Sequence, residues 1–254
     1  MSVAMLFDMR PKVGRHDLYG REAELASMLA ALESATPLIL LLGQRRIGKT
    51  SLLKTSLAEA RRPYIYLDMR RLDEEGYSKV VLYRLLSEEM TRLNSTWKKL
   101  GEALKRVKGV QVAGTGIELD WSRTGLLLSS LFNSLDRWAE GNKIVVAIDE
   151  AQLFKEGKEL IRLADSLADS GKTVIVSLLN RSHLGEPFGD APEMMTRADY
   201  VITLTAVCRQ CGGEAAFTQR IDSEGKPVFG ELIEIGGKEN HEPRCRSCFV
   251  RPND

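Results

Sequence analysis

The stretch "KIVVAIDEAQLF", residues 143–154, is an apolar run that ends in two adjacent carboxylates, Asp149 and Glu150. A short and wholly apolar run of this kind predicts a buried strand, here over residues 144–148. Carboxylates that follow a buried strand directly can hold a metal ion through water or accept a proton. The stretch therefore predicts a strand with chemically useful side chains at its carboxyl end.

Strands and helices alternate on both sides of this stretch. Apolar runs bounded by turn residues predict further strands in "TPLILLLG", "YIYLD", "TVIVSLL" and "YVITL". Apolar residues at helical spacing predict a helix around Leu25, Met28, Leu29 and Leu32, and further helices near residues 50–60, 79–90, 126–138 and 159–168. Apolar strands separated by helices favour a parallel sheet that is covered on both faces. The alternating apolar residues of "GVQVAGTGIELDW" instead predict an inserted hairpin.

A glycine-rich loop lies between the first strand and the next helix. Its text "GQRRIGKT", residues 43–50, matches the pattern GxxxxGK[ST] in the strand-to-helix context of a phosphate-binding loop. Backbone N–H groups in such a loop surround the phosphates of ATP, and here they belong to Gly43, Gln44, Arg45, Arg46, Ile47 and Gly48. We expect Lys49 to reach the β and γ phosphates, and Thr50 and Asp149 to hold Mg²⁺. The predicted fold is α/β, a P-loop NTPase sheet with helices on both faces.

The four cysteines form two CxxC pairs, Cys208 with Cys211 and Cys245 with Cys248. In a reducing compartment, paired CxxC turns favour a metal over disulfides. Four thiolates close a tetrahedral shell around Zn²⁺ and leave no position for water, so the predicted zinc is structural. The residues after Cys208 are too poor in apolar side chains for a core of their own, and zinc binding contributes the missing folding free energy.

Charge and apolar runs limit the partners of the chain. Lys plus Arg number 36 against 35 for Asp plus Glu, and the net charge of +1 lacks the basic excess of a dedicated nucleic-acid binder. No apolar run approaches the roughly 20 residues that span a bilayer, and the first residues lack the pattern of a secretory signal. The sequence predicts a cytoplasmic protein without nucleic-acid or membrane partners. It divides into an N-terminal extension with a helix (1–36), a nucleotide-binding α/β domain (37–206) and a zinc-binding domain with a substrate-covering loop (207–254).

Residues 6–152 resemble the archaeal STAND-type P-loop ATPases. The matching text is "LFDMRPKVGRHDLYGREAEL", "LLGQRRIGKTSLLKTSL", "RPYIYLDMR", "GIELDW" and "IVVAIDEAQ". This resemblance implies a switch protein that hydrolyses ATP. In that family the "DLYGREAEL" box helps to cradle the nucleotide base, which makes Arg21 a candidate nucleotide contact.

Residues 144–254 are similar to the type II thymidine kinases. The matching text is "IDEAQLF", "GKTVIVSLLNRSHLGEPFG", "ADYVITLTAVCRQCGGEAAFTQR" and "EIGGKENHEPRCRSC". This resemblance implies transfer of the ATP γ-phosphate to the 5′-hydroxyl of thymidine or a related deoxynucleoside, in a homotetramer. It also implies that a loop between the two cysteine pairs covers the nucleoside. The chain therefore looks like a fusion of the two families, natural or engineered, joined at the DEAQ motif.

The kinase resemblance also implies roles for individual residues. Glu150 corresponds to the base that takes the proton from the sugar 5′-hydroxyl. Asp68 and Arg70 match the D-x-R that lies near Mg²⁺ and the phosphates in the kinases, and Gln152 joins the nucleotide-binding set. The implied nucleoside contacts are Phe154, Leu179, His183, Thr218 and His241. Because His183 and His241 stand where the kinases usually have aromatic residues, we expect weak nucleoside binding.

Two other interpretations are compatible with the same residues. The chain can be an ATPase switch with a borrowed tail, in which Glu150 aims a water at ATP. It can also be a non-catalytic module that binds a nucleotide and zinc. Turnover that depends on a nucleoside separates the kinase from both alternatives, and ATP hydrolysis separates the remaining two.

Overall fold

The structure, a computed structural model, describes residues 11–74, 79–96, 100–119, 128–138, 144–154, 157–230 and 240–252. The helices are α1 (Glu22–Glu33), α2 (Lys49–Ala60), α3 (Met69–Glu74), α4 (Lys79–Thr96), α5 (Leu100–Leu104), α6 (Leu128–Trp138), α7 (Gly157–Asp169) and α8 (Ala191–Arg197). The strands are β1 (Leu38–Gly43), β2 (Tyr64–Asp68), β3 (Val110–Ala113), β4 (Gly116–Leu119), β5 (Val145–Asp149), β6 (Thr173–Leu178), β7 (Tyr200–Leu204), β8 (Ala206–Val207), β9 (Glu214–Ala215), β10 (Phe217–Ile221) and β11 (Asn240–Arg244). Single 3₁₀ turns occur at Arg15–Asp17 and Ala151–Leu153.

Five strands form one parallel sheet in the order β2-β5-β6-β1-β7. The last residues of neighbouring strands are in register: Asp68 pairs with Asp149 across β2 and β5, and Gly43 pairs with Leu204 across β1 and β7. The carboxyl ends of the strands therefore share one edge of the sheet. That edge carries both the phosphate loop and the acidic motif.

Helices cover both faces of this sheet. β1 is buried along its whole length, and its side chains alternate between two cores because successive strand residues point to opposite faces. Leu38, Leu40 and Leu42 pack with residues of α4 to α8, whereas Ile39 and Leu41 pack with residues of α1 and α2. The predicted α/β fold with a doubly covered parallel sheet is therefore confirmed.

The predicted hairpin is present as the antiparallel pair β3–β4. Gly114 has a φ of +61° in its turn, a backbone conformation that favours glycine. The hairpin packs on α4, where the Thr91 hydroxyl accepts the backbone N–H of Ile117 at 2.9 Å and Ser87 accepts that of Leu119 at 3.0 Å. The last two residues of the hairpin text, 120–121, lie outside the described residues.

The C-terminal segment forms two small antiparallel pairs, β8–β9 and β10–β11. Apolar side chains buried in this segment include Ala215, Phe217 and Phe249, a small core that agrees with the apolar-poor sequence. Residues 231–239 of the predicted covering loop lie outside the described residues, as do residues 1–10 of the N-terminal extension. No helix within the described ranges is long and apolar enough to cross a membrane.

Candidate functional site

The phosphate loop makes a tight turn from β1 into α2. Arg46 and Gly48 have φ values of +60° and +97°, so the backbone curls through the left-handed region twice. A Cβ atom on Gly43 would lie 3.1 Å from both the Cβ atom and the carbonyl oxygen of Leu204. A loop of this shape can turn its backbone N–H groups towards an anion, as phosphate binding requires.

Lys49 lies inside this loop and is only 4% exposed. Its Nζ atom donates to the carbonyl oxygens of Gln44 at 2.8 Å and Gly43 at 3.2 Å. Burial lowers the pKa of Lys49, and the nearby negative charges of Glu150 and Asp149 oppose that shift. The acidic motif and the lysine therefore act on each other across the carboxyl edge of the sheet.

Asp149 is fully buried at the end of β5. Its Oδ2 atom accepts the Thr50 hydroxyl at 2.7 Å and the Tyr66 hydroxyl at 2.8 Å, and its Oδ1 atom accepts the backbone N–H of Glu150 at 3.0 Å. These donors offset the cost of burying a carboxylate. The Thr50 and Asp149 oxygens are adjacent hard donors beside the phosphate loop, which is the donor chemistry that Mg²⁺ prefers.

Tyr66 is a site residue that the sequence analysis missed. Burial, followed by the charge of Asp149, raises its pKa, so the phenol stays a hydrogen-bond donor. Lys54 lies over the ring, with Nζ 4.8 Å from its centroid. The stretch "YIYLD" could have identified Tyr66 as a site residue, because strand alternation places it on the same face as Asp68.

Glu150 has a φ of +54°, an unusual backbone conformation for a residue other than glycine. Such a conformation costs about 1 to 3 kcal/mol and is found most often at functional sites. Its Oε2 atom accepts the amide Nε2 of Gln152, and the Oε1 atom of Gln152 accepts the backbone N–H of Leu179 at 3.1 Å. The Glu150 carboxylate is thus held in place rather than left to rotate freely.

Asp68 and Arg70 form a two-point ion pair at the end of β2. Arg70 Nη2 donates to Asp68 Oδ2 at 2.5 Å, and its Nε atom donates to Oδ1 at 2.9 Å. This hydrogen bonding raises the pKa of Arg70, and the charges of Glu150 and Asp149 add to the shift. Both residues therefore lie at the same edge as the acidic motif, and their contact with a nucleotide stays a prediction.

Arg21 ties the phosphate loop to the segment after β7. Its Nη2 atom donates to the carbonyl oxygens of Thr205 at 2.8 Å and Ile47 at 3.4 Å, and its Nη1 atom donates to Glu24 at 2.8 Å. The residue lies beside the loop, as its box predicts. Whether it also contacts a nucleotide base stays a prediction.

Two of the predicted nucleoside contacts, Phe154 and Leu179, lie near the acidic motif, and a third, His183, lies in the loop that begins at Leu179. Phe154 lines a cavity of about 460 Å³ together with Gln152 and Phe188. Leu179 and His183 belong to the loop between β6 and α8, residues 179–190, which we call the β6–α8 loop. His183 is buried there, with 6% of its surface exposed.

The other two predicted contacts lie on the small C-terminal pair of strands. Thr218 is buried on β10, and His241 is half-buried on β11. Arg181, in the β6–α8 loop, donates to the carbonyl oxygen of Ala216, the residue before β10, at 3.2 Å. This hydrogen bond connects the loop that contains Leu179 and His183 to the strands that contain Thr218 and His241. All five assignments as nucleoside contacts stay predictions.

The four cysteines come together although 33 residues (245 − 211 − 1) separate the two pairs. Their sulfur atoms all lie within 4.8 Å of one another, and Cys211 and Cys245 are 3.6 Å apart. Four sulfurs bound to one Zn²⁺ at 2.3 Å would be about 3.8 Å apart. The predicted ligand set therefore fits a tetrahedral structural zinc.

We expect the purified protein to carry about one Zn²⁺ per chain, and Cys208→Ser to lose it, because three thiolates cannot complete the shell. The variant should also show faster proteolysis after residue 207, since zinc supplies much of the folding free energy of such a segment. Elemental analysis and limited proteolysis measure both effects. Ser247→Ala, in the same turn as Cys245 and Cys248, is the control that should keep its metal; wild-type protein that lacks zinc when purified without chelator contradicts the assignment.

Two family models match the chain and overlap at the acidic motif. The thymidine kinase model matches residues 120–249, and the AAA ATPase domain model matches residues 17–169. Their overlap contains β5 and the whole of DEAQ. The fusion predicted from the two resemblances is therefore confirmed.

Individual relatives give the same division. The thymidine kinase of Yaba monkey tumor virus (strain VR587) is 39% identical over 113 residues, which cover 44% of this chain and 58% of the viral protein. The solved structure of the Walker-type ATPase paby2304 of Pyrococcus abyssi has a TM-score of 0.50 at 33% identity, covering 68% of this chain and 49% of that one. This chain thus spans less than two thirds of each of these relatives.

Proposed function

Since the chain belongs to the thymidine kinase family over residues 120–249 and to the AAA ATPase domain family over residues 17–169, we propose that it transfers the γ-phosphate of ATP to the 5′-hydroxyl of thymidine or a related deoxynucleoside. The observation that carries this proposal is that the segment with the cysteine cluster packs against the β6–α8 loop. An ATPase has no need of such a module on a loop whose first residue is hydrogen-bonded to Gln152 of the acidic motif. A kinase needs a further protein segment over its site, because water must be excluded from the phosphate being transferred.

ATP is proposed to bind with its phosphates in the loop formed by residues 43–50. Lys49 supplies the fixed positive charge at the β and γ phosphates. Thr50 and Asp149 would hold Mg²⁺, which neutralises charge on the same phosphates when it is bound. Asp68 and Arg70, at the neighbouring strand end, are proposed to support the metal and the phosphates.

Glu150 is proposed as the general base. It accepts the proton of the 5′-hydroxyl while that oxygen forms a bond to the γ phosphorus and the bond from phosphorus to the ADP oxygen breaks. A carboxylate does this well only where it is held in line with the reacting atoms. The support for this role is the restrained carboxylate of Glu150 beside Lys49.

The nucleoside is proposed to lie between the acidic motif and the cysteine-bearing segment. The cavity of about 460 Å³ beside Phe154 does not support this position, because its lining includes no residue of the cysteine-bearing segment. Leu179 and His183 would face the nucleoside from the β6–α8 loop, and Thr218 and His241 from the segment between the cysteine pairs. His183 and His241 offer less stacking surface than the aromatic residues usual in the kinases, which supports weak binding.

A second candidate function is ATP hydrolysis, in which Glu150 orients water in place of a hydroxyl. The match to an AAA ATPase domain and the likeness to a Walker-type ATPase favour it. A non-catalytic module that binds a nucleotide and zinc is the third candidate. The three differ in what accepts the phosphate, so one assay separates them.

We expect ADP formation to depend on added thymidine or deoxyuridine and to yield the 5′-monophosphate. Little inorganic phosphate should appear without a nucleoside, because a base positioned for a hydroxyl serves a mobile water poorly. Chromatography of the products with a panel of nucleosides, alongside a phosphate-release assay, measures both. Phosphate release that no nucleoside alters, in protein that carries its zinc, contradicts the kinase proposal in favour of hydrolysis.

The remaining proposals concern organisation. We propose that residues 37–206 form the nucleotide-binding domain, that residues 207–254 form the zinc-binding domain and that residues 1–36 are an extension. A cytoplasmic homotetramer is proposed from the kinase family. Cysteines placed for metal binding rather than for disulfides support a reducing compartment.

A further inference from the structure

Gln152 connects the acidic motif to the end of β6. Its Nε2 atom donates to Glu150 Oε2, and its Oε1 atom accepts the backbone N–H of Leu179 at 3.1 Å. A carboxylate needs a donor and a backbone N–H needs an acceptor, so only this orientation of the amide satisfies both. Gln152 therefore fixes the Glu150 carboxylate through its Oε2 atom.

Leu179 begins the β6–α8 loop, which is closed on itself. The backbone N–H of Phe188 donates to Asn180 at 3.2 Å, and that of Ser182 donates to Glu186 at 2.9 Å. Gly185 N–H closes the tip by donating to Ser182 at 3.1 Å. These hydrogen bonds connect the tip of the loop to Asn180, the residue that follows Leu179.

The tip of the loop rests on the cysteine-bearing segment. A Cβ atom on Gly185 would lie 2.8 Å from the Phe249 ring, and Phe249 follows Cys248 directly in the sequence. Phe249 stacks on Phe217 with ring centroids 4.7 Å apart. Arg181 lies over the other aromatic ring of this pair, with Cζ 4.9 Å from the Phe217 centroid.

We propose that Gln152 is a positioning residue that aims the Glu150 carboxylate, and that the β6–α8 loop makes this aim depend on the folded cysteine segment. The proposal rests on the proposed role of Glu150 as the base, and it gives Gln152 this role in place of the nucleotide contact that the kinase resemblance implies. The cysteine-bearing segment then has a second role besides covering a nucleoside. It supports the position of Glu150 through Phe249, the β6–α8 loop, Leu179 and Gln152.

The first test uses two substitutions at one position. Gln152→Glu keeps the size of the side chain and an acceptor for Leu179 N–H, but it places a second carboxylate against Glu150. The two carboxylates either repel each other or share a proton, and both outcomes impair Glu150 as a base. Gln152→Ala removes both contacts. We expect each to lower kcat about 10- to 100-fold, as displacement of a catalytic group by about 1 Å does. In Gln152→Ala, which changes no charge, the Kd of a fluorescent non-hydrolysable ATP analogue should change less than about twofold. A normal kcat in either variant, or a Kd that weakens in step with kcat in Gln152→Ala, overturns the proposal.

The second test does not depend on activity. Hydrogen exchange at the Leu179 amide should accelerate about tenfold or more in Gln152→Ala, because its acceptor is gone, and stay slow in Gln152→Glu. Arg181→Ala should also accelerate this exchange and lower kcat, and should lower kcat no further when it is combined with Gln152→Ala. Arg197→Ala, which removes an exposed arginine from α8, is the matched control and should change neither quantity. Additive losses in the double variant, or unchanged Leu179 exchange in Gln152→Ala, overturn the link through the loop.

Failure of the proposed kinase function gives different results in these assays from failure of the positioning role of Gln152. Wild-type protein that releases phosphate without any nucleoside overturns the kinase assignment only. The kcat comparisons are then made on phosphate release, and the exchange measurements stand unchanged. If Gln152→Glu leaves that release normal, the positioning role is overturned as well.

Discussion

Lys49→Ala is expected to abolish nucleotide turnover, with kcat lower by about 10³-fold or more. The substitution removes the buried ammonium group that donates to Gly43 and Gln44 inside the phosphate loop. Loss of a single preorganised donor to developing charge costs about 10² to 10³, and here a full positive charge is lost with it. ADP formation at saturating ATP measures the effect under either enzymatic proposal.

The matched control is Lys105→Ala. Lys105 lies at the surface just after α5, where its ammonium group pairs with Glu102. Exposed pairs of this kind contribute about 0 to 1 kcal/mol to stability, so turnover should not change. Near-normal turnover in Lys49→Ala would mean that the phosphate loop is not the active site.

Glu150→Gln is expected to lower kcat by about 10² to 10⁴, the usual contribution of a general base. The amide is nearly the same size as the carboxylate but cannot accept the proton of the attacking group. Lys49, Thr50 and Asp149 remain in place, so ATP should still bind. Single-turnover product formation and equilibrium binding of an ATP analogue measure the two properties separately.

Glu102→Gln, which neutralises the exposed partner of Lys105, is the charge-matched control and should leave kcat unchanged. The effect of Glu150→Gln applies to a hydroxyl and to water alike. It therefore tests the base and not the identity of the acceptor. If Glu150→Gln turns over normally in protein that binds ATP, the base is another residue.

Much of the sheet was predictable because its strands are short apolar runs between turn residues. β1 and β6 are buried along their whole length, so nothing else competes with the strand signal. Helix ends were less certain: α4 runs to Thr96, beyond the predicted end near residue 90. The six-residue α3 and the seven-residue α8 were not predicted, because such short segments carry less than two full turns of periodicity.

The residues of the candidate site also differ in whether a local sequence pattern predicts them. The phosphate loop, Asp149 and the cysteine pairs are local patterns whose chemistry needs fixed spacing, and the structure brings the members of each pattern together. The contact between Gln152 and Leu179 joins residues 27 positions apart. No local pattern encodes such a contact, because it depends on the order of strands in the sheet.

That strand order limits how the two matched pieces can be joined. β1 and β2 precede residue 120, where the kinase match begins, and β6 and β7 follow residue 169, where the ATPase match ends. Yet β6 lies between β5 and β1, so strands of the two ancestries alternate across the sheet. A crossover at the acidic motif is viable only where the incoming strand matches the order and register of the resident ones. Each piece taken alone leaves a gap in the sheet that the other fills, so neither piece can complete the five-stranded sheet without the other.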